Sequence, residues 1–428
     1  MAPQKIIIDT DPGVDDMLAL LLALSASPDE LELLLISLTF GNINIENCLR
    51  NTVSLFHVLD LEKQWRSSRG LRTGFSALEN TKPIVAIGAD RPLEEQLLAA
   101  DYFHGLDGLG GVHTTAPHFT PSETWSHIFN STAATPAPPN FTPSSTPAHL
   151  EILRILAENP PNTITIIAVG PLTNISLAAT HDLPTLLRAK EVIIMGGAID
   201  QEGNVTPVAE FNHYACAYSA AHIYALTSPH PSGTLPIGSR FALNQAPAPE
   251  KPLKLSIFPL DITNRHLLSE AVWRAATADR KAQGSPLAQW CDVFVTATFK
   301  KMKEMYLQST GGGGEAARRD TVDISMHDPL CVWYAISALA RGEEGWVVHE
   351  GRDIRVEPAG QWTRGMCVVD RRPKNVEENL AEAVKLGDVG VWLHRGHGNR
   401  VRQVVESPEG TDRKFGGWML ERIFDVVL

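Results

Sequence analysis

Residues 6–16 constrain the fold of this chain more than any other stretch: Ile6-Ile7-Ile8-Asp9-Thr10-Asp11-Pro12-Gly13-Val14-Asp15-Asp16. The isoleucine run does not alternate with polar residues, so it predicts a strand buried on both faces, as in a parallel sheet. Pro12-Gly13 then enforces a turn. Met17, Leu18, Leu20, Leu21, Leu22 and Leu24 predict a helix buried on most sides. Asp9, Asp11, Asp15 and Asp16 therefore fall at the seam between the C-terminal end of a strand and the N-terminus of a helix. Open α/β sheets hold their ligands at such seams.

Four carboxylates in eight residues repel one another. A helix N-terminus offsets only ~0.3–1 kcal/mol per interaction, and a helix cap needs one Asp rather than four. A bound cation offsets far more. Neither His nor Cys interrupts the cluster, so the donors are hard oxygens, which suit Ca²⁺ or Mg²⁺ and not Zn²⁺.

The rest of the chain repeats the strand–helix alternation. Strands are expected at Leu33–Leu38, Ile84–Gly88, Thr163–Val169 and Glu191–Met195, and helices at Asn47–Leu59, His149–Glu158 and from Gly170-Pro171-Leu172-Thr173-Asn174 toward Ala179. Such alternation predicts right-handed crossovers and a mainly parallel α/β sheet flanked by helices. Phe103–Gly111 is a glycine-rich loop without dinucleotide-binding spacing, and Asp328 places one more carboxylate at the start of an apolar helix, Leu330–Leu339. Asp353–Val369 is expected to form a hairpin turning near Pro358-Ala359-Gly360, with helices following around Val376–Lys385 and Trp418–Val426. Irregular stretches at 117–147, 229–252 and 309–320 have too little apolar pattern for core, and they are expected to decorate a single domain spanning 1–428.

A net charge of -12 argues against a nucleic-acid or membrane-surface binder. Five scattered cysteines without a CxxC pair suggest reduced thiols. With no secretory signal ahead of the first strand and no apolar run of membrane-spanning length, the expectation is a cytoplasmic protein. On that reading the sequons at Asn130 and Asn140 are chance matches.

Asp9-Thr10-Asp11-Pro12-Gly13-Val14-Asp15-Asp16 resembles the N-terminal signature of the inosine–uridine-preferring nucleoside hydrolases. Further motifs follow in that family's order: Gly41-Asn42, His104-Gly105, Val169 to Asn174, Met195-Gly196-Gly197, Asn204-Val205-Thr206, Glu210-Phe211-Asn212, His327-Asp328-Pro329 and Thr363-Arg364-Gly365-Met366. The resemblance implies the nucleoside hydrolase fold, a Rossmann-like open sheet, and Ca²⁺ held by Asp11, Asp16, the Val169 carbonyl and Asp328. By the same likeness Asp11 would be the general base for the attacking water and His327 would protonate the departing base. Asp15, Asn42, Asn204, Glu210 and Asn212 would bind the ribose hydroxyls, with Met195 beside the sugar and His104 and Asp328 also at the substrate. It further implies a homodimer or homotetramer, and a ribonucleoside and water as the partners in the reaction.

The residues suit that chemistry. Breaking an N-glycosidic bond builds positive charge on the ribose, which nearby carboxylates stabilise. A base and an acid are needed across the bond, and an imidazole can be protonated near neutrality. Met195 could equally be core and His104 a loop residue without a role. Asn174 is read as stabilising its turn, and Trp273, Trp290, Phe299 and Tyr306 suit either a base pocket or the buried face of a helix. In the family an Asp-Pro often stands four residues after Glu-Phe-Asn. Here Cys216-Ala217 occupies that place, which is expected to affect a helix cap. A haloacid-dehalogenase-like phosphatase would need Thr or Val where Gly13 stands. Other readings are a purine-preferring nucleosidase, a hydrolase of another N-riboside such as nicotinamide riboside, and a Ca²⁺-dependent nucleoside-binding protein without turnover. The expected substrates are both purine and pyrimidine ribosides.

Overall fold

Ile6 and Ile8 enter one hydrophobic layer and Ile7 the other, so the first strand is sealed on both faces. The computed structural model describes residues 2–94, 97–98, 100–121, 129, 140–235, 251–309, 322–372, 388, 390–394, 396–408 and 412–428. Its main sheet contains β1 (Gln4–Thr10), β2 (Leu31–Leu38), β3 (Ile84–Ile87), β4 (Thr142–Ser144), β5 (Ile164–Ala168), β6 (Glu191–Met195) and β7 (Leu255–Phe258). Two short strands, β8 (Leu267–Ser269) and β9 (Asp323–Ser325), pair separately, and β10 (Val347–Arg352) lies at an edge of the main sheet. A hairpin joins β11 (Ile354–Val356) to β12 (Cys367–Val369), and β13 (Val401–Glu406) returns to the main sheet.

The strand order is β10-β13-β7-β6-β5-β1-β2-β3-β4, parallel throughout except for β10 against β13. From β1 the chain winds outward through β2, β3 and β4, and from β5 it winds the other way. The crevice at the C-terminal ends of β1 and β5 is therefore the switch point at which such sheets bind ligands. One face of the sheet is covered by helices Val14–Ser25, Ile45–Ser68, Pro286–Ser309, His327–Arg341 and Asp412–Phe424, the other by Ala148–Glu158, Thr173–His181 and Ala217–Ala225.

The crevice is pinned from behind. Asp9 is in register with Ser37 on β2 and Ala168 on β5. Its Oδ1 accepts from the Ser37 hydroxyl and from Asn174 Nδ2 at 2.8 Å. Asn174 also donates to the Leu38 carbonyl at 3.0 Å and accepts from Ala89 N at 2.9 Å. One amide thus ties β1, β2, the exit of β3 and the Thr173–His181 helix together. Asp9, although part of the N-terminal acidic run, faces this clamp rather than the crevice.

Several elements differ from the sequence expectation. The helix expected over Asn47–Leu59 runs from Ile45 to Ser68, capped by Asn44 accepting from Asn47 N at 3.0 Å. The helix expected from Trp418 begins at Asp412. Residues 117–147 are not wholly decoration: Phe119, Phe129 and Phe141 enter the core, and Thr142–Ser144 pairs with β3 as an edge strand. Three aromatics spread among Pro, Ser and Thr carry no period, and Pro143 is tolerated because the strand is an edge. The expected helix at Val376–Lys385 and most of the stretches 229–252 and 309–320 lie outside the described residues. Among the described residues no helix is long and apolar enough to cross a membrane.

Asn174→Ala removes the clamp and leaves the fully buried Asp9 with fewer donors. The expected loss is about 2–3 kcal/mol, read as a lower urea midpoint at unchanged slope.

Candidate active site

The seam after β1 is folded by its own carboxylates. Asp16 Oδ2 accepts from Gly13 N at 3.0 Å and Oδ1 from Asp11 N at 3.2 Å, which closes the Pro12-Gly13 turn onto the helix start. The Thr10 hydroxyl donates to Asp16 Oδ1 at 2.5 Å. After β2, Asn42 N donates to Asp11 Oδ2 at 2.6 Å and Asn42 Nδ2 to Asp16 Oδ2 at 2.9 Å. Asp11 is held so closely that a Cβ on Gly41 would fall inside its carboxylate, and one on Gly170 would lie 2.6 Å from its Oδ1. Both neighbouring strands must therefore offer glycine at this point.

Oxygens of Asp15, Asp16 and Asp328 all lie within 4.8 Å of one another. Burial, and then the Asp16 charge, push Asp15 up to about 7 and Asp11 well above the usual carboxylate range. Asp328 is raised by burial and by the charges of Asp15, Asp16 and Asp11. Asp11 Oδ1 is buried without a hydrogen-bond partner among the described residues. An orphaned buried carboxylate oxygen beside three crowded ones, all hard donors, fits a divalent cation such as Ca²⁺.

Above this floor lies a cavity of about 280 Å³, lined by Asp15, Asn42, His104, Val169, Met195, Asn204, Glu210, Asn212, His327 and Asp328, with Asp11 and Asp16 buried beneath. Every site residue expected from the sequence is thus gathered at one place. Glu210 caps the helix Phe211–Ala215, accepting from Asn212 N at 2.8 Å and His213 N at 3.1 Å, and it also accepts from Gly197 N at 3.0 Å. Asn204 Oδ1 accepts from Phe211 N at 2.9 Å. Asn212 Nδ2 donates to the Val169 carbonyl at 2.8 Å and lies 3.6 Å from Met195 Sδ, so the methionine lines the cavity as well as the core.

Both imidazoles are neutral near pH 7. Burial pushes His327 down to about 4, and burial with the His327 charge does the same to His104. This departs from the ordinary imidazole value on which the expectation of a protonated acid rests. The cause is desolvation. His104 Nδ1 accepts from Val14 N at 3.4 Å, which places it over the helix N-terminus.

The remaining wall is mostly apolar, with Ala100, Phe103, Met302, Met305 and Ile324, but Asn264, Thr298 and Ser325 also line it. Sequence reasoning missed Met302 and Met305. Their helix carries apolar residues toward the core as well; of the four aromatics weighed for a base pocket, Trp273, Trp290 and Phe299 are buried core, and Tyr306 is half-buried and does not line the cavity. Thr263 was also missed, and its hydroxyl lies 2.7 Å from His327 Nδ1. Cys216 stands outside the cavity, with its Sγ 2.9 Å from Ser219 Oγ in the following helix.

Residues 6–390 match the family model of the inosine–uridine-preferring nucleoside hydrolases. The chain belongs to that family. It is 32% identical to the non-specific ribonucleoside hydrolase RihC of Salmonella paratyphi A over 86% of this chain and 89% of that one. It is 26% identical to the inosine–uridine preferring nucleoside hydrolase of Crithidia fasciculata over 91% of this chain and 95% of that one. Among solved structures, an inosine–guanosine nucleoside hydrolase superposes with a TM-score of 0.64 at 19% identity, covering 100% of both chains, which shows the shared fold. This nucleoside hydrolase is a glycosylase acting on N-glycosyl compounds, and the cavity at its switch point is the candidate active site.

The fit around Asp11 generates a test. Gly41→Ala is expected to cost about 1–3 kcal/mol of stability and, by displacing Asp11, to lower ribose release about 100-fold or more. Thermal midpoint and turnover are measured together, and wild-type turnover in the folded variant would contradict the assignment.

Proposed function

We propose that this nucleoside hydrolase cleaves purine and pyrimidine ribonucleosides to base and ribose in a Ca²⁺-dependent reaction with Asp11 as general base. The observation that carries the reading is the free Asp11 oxygen within a buried carboxylate floor, under a cavity that also holds two imidazoles and the Asn204, Glu210 and Asn212 side chains. Asp11, Asp16, Asp328 and the Val169 carbonyl would hold the ion, with Asp15 beside it. When bound, Ca²⁺ supplies the positive charge that acidifies and orients a water molecule.

Asp11 would accept a proton from the attacking water as the water oxygen bonds to C1′ of the ribose. The C1′–N bond breaks and its electron pair leaves with the base. The proton the base requires is equivalent to the one Asp11 took, so the reaction consumes only water. Asp15, Asn42, Asn204, Glu210 and Asn212 orient the ribose hydroxyls, and the carboxylates stabilise the positive charge that grows on the sugar. Met195 packs beside the ring. His327 faces the departing base, with His104 close by. Phe103, Met302, Met305 and Ile324 offer the base an adaptable apolar surface, which supports acceptance of both ring sizes.

Ribose release from inosine, guanosine, uridine and cytidine tests this directly. Chelation should abolish release and Ca²⁺ should restore it, and Asp11→Asn should lower kcat by about 10²–10⁴. Ligand binding without any release, at saturating Ca²⁺, would favour the nucleoside-binding reading instead. Because the floor is built around sugar hydroxyls, 2′-deoxyinosine should turn over at least about 100-fold more slowly than inosine. Comparable rates for the two would remove the ribose assignments.

A further inference from the structure

Thr263 ends the helix Leu260–Thr263 that follows β7, and it is fully buried. His327 opens the helix His327–Arg341. Their side chains meet at 2.7 Å, between Oγ1 and Nδ1, across 64 residues of sequence. Which atom donates follows from the accounting of buried hydrogens. Three other buried helical threonines give their hydroxyl hydrogen to the carbonyl one turn back: Thr52 to Cys48, Thr277 to Trp273 and Thr298 to Phe294, at 2.8–2.9 Å, whereas the hydroxyl of Thr173, at the first turn of its helix, has no partner among the described residues. Thr263 makes no such bond, and among the described residues its hydroxyl has His327 Nδ1 as partner.

Were the ring hydrogen on Nδ1, the Thr263 hydroxyl would accept it and its own hydrogen would be buried without an acceptor, at a cost of about 1–3 kcal/mol that the other arrangement does not carry. With the hydroxyl donating, both groups are satisfied. Nδ1 then carries the lone pair, and a neutral ring bears its hydrogen on Nε2. Nε2 has no protein partner among the described residues, and the side chain lines the cavity.

We propose that Thr263 is a positioning residue that fixes His327 as the Nε2–H tautomer, so that the ring presents a hydrogen-bond donor to the departing base. This rests on the nucleoside-hydrolysis reading above. As the C1′–N bond lengthens, negative charge gathers on the base, and a donor already aimed at it stabilises the transition state more than the ground state. The opposite tautomer would aim a lone pair at that charge. Thr263 touches neither substrate nor water in this account, and it acts through His327.

Two measurements decide it. In ¹⁵N-histidine-labelled protein, with the His327 signals assigned by their loss in His327→Gln, the nitrogen spectrum should show a protonated Nε2 and an unprotonated Nδ1. The signature should weaken in Thr263→Val and persist in Thr263→Ser. In the kinetic arm, Thr263→Val should lower kcat for uridine about tenfold or more with little change in KM. It should leave kcat for p-nitrophenyl β-D-ribofuranoside within about twofold, because that phenolate departs without help. Thr263→Ser should retain both activities. A hydrogen on Nδ1 in the wild type would overturn the proposal, as would an equal loss on both substrates or no loss on either. A wild type that cleaves no riboside would remove the hydrolase reading alone, and the nitrogen spectrum would still decide the tautomer.

Discussion

Negative charge confined at the carboxyl ends of β1 and β5 is what the rest of the site is arranged around. Asp11, Asp15, Asp16 and Asp328 are brought together where burial disfavours ionisation of all four, and the neighbouring charges add to it at Asp11, Asp15 and Asp328. The fold tolerates this because backbone and side-chain donors are supplied locally: Asp11 N and Gly13 N to Asp16, and Asn42 N to Asp11. The supply is incomplete at Asp11 Oδ1. A buried carboxylate oxygen left bare beside the cavity, among three further carboxylates, points to something more than packing.

Support for this charge comes from both arms of the sheet. β1 and β2 contribute Asp11, Asp16 and Asn42, while β5 and β6 lead to Val169 and Met195. The Glu210–Asn212 segment then locks onto the second arm through Gly197 N and the Val169 carbonyl. Asn174 fixes the distance between the arms from behind, and so the site is a property of the junction and not of either half. The sequence reading of Asn174 as stabilising its own turn is thereby corrected, because its side chain reaches β1, β2 and the exit of β3.

Much of the fold was legible in the sequence because buried parallel strands must be written as unbroken apolar runs. Ile6–Ile8, Ile164–Val169 and Glu191–Met195 could not plausibly be anything else once helices followed them. The site residues were legible through motif resemblance, since their order along the chain matched a family. What stayed hidden lacks period. β4 is three residues long and contains Pro143, and Phe119 and Phe141 reach the core from an otherwise polar stretch. Met302 and Met305 share a helix with core residues, so spacing cannot separate wall from core. Thr263 lies on a four-residue helix, and its meaning depends on a ring 64 positions away. The low proton affinity of His327 comes from desolvation, which only three-dimensional packing creates.

The junction has a kinetic meaning as well. Asn174 meets Asp9 across 165 residues of chain, and Asp328 comes beside Asp15 and Asp16 from far along the sequence. Contacts of such separation close late, because the entropy of ordering the intervening chain must be met before they contribute. Neither arm of the sheet by itself assembles the carboxylate floor, and both hydrophobic layers draw residues from the two arms. Recovery of activity on refolding therefore belongs to the last phase, after the secondary structure has returned, and partly folded chains are inert toward ribonucleosides.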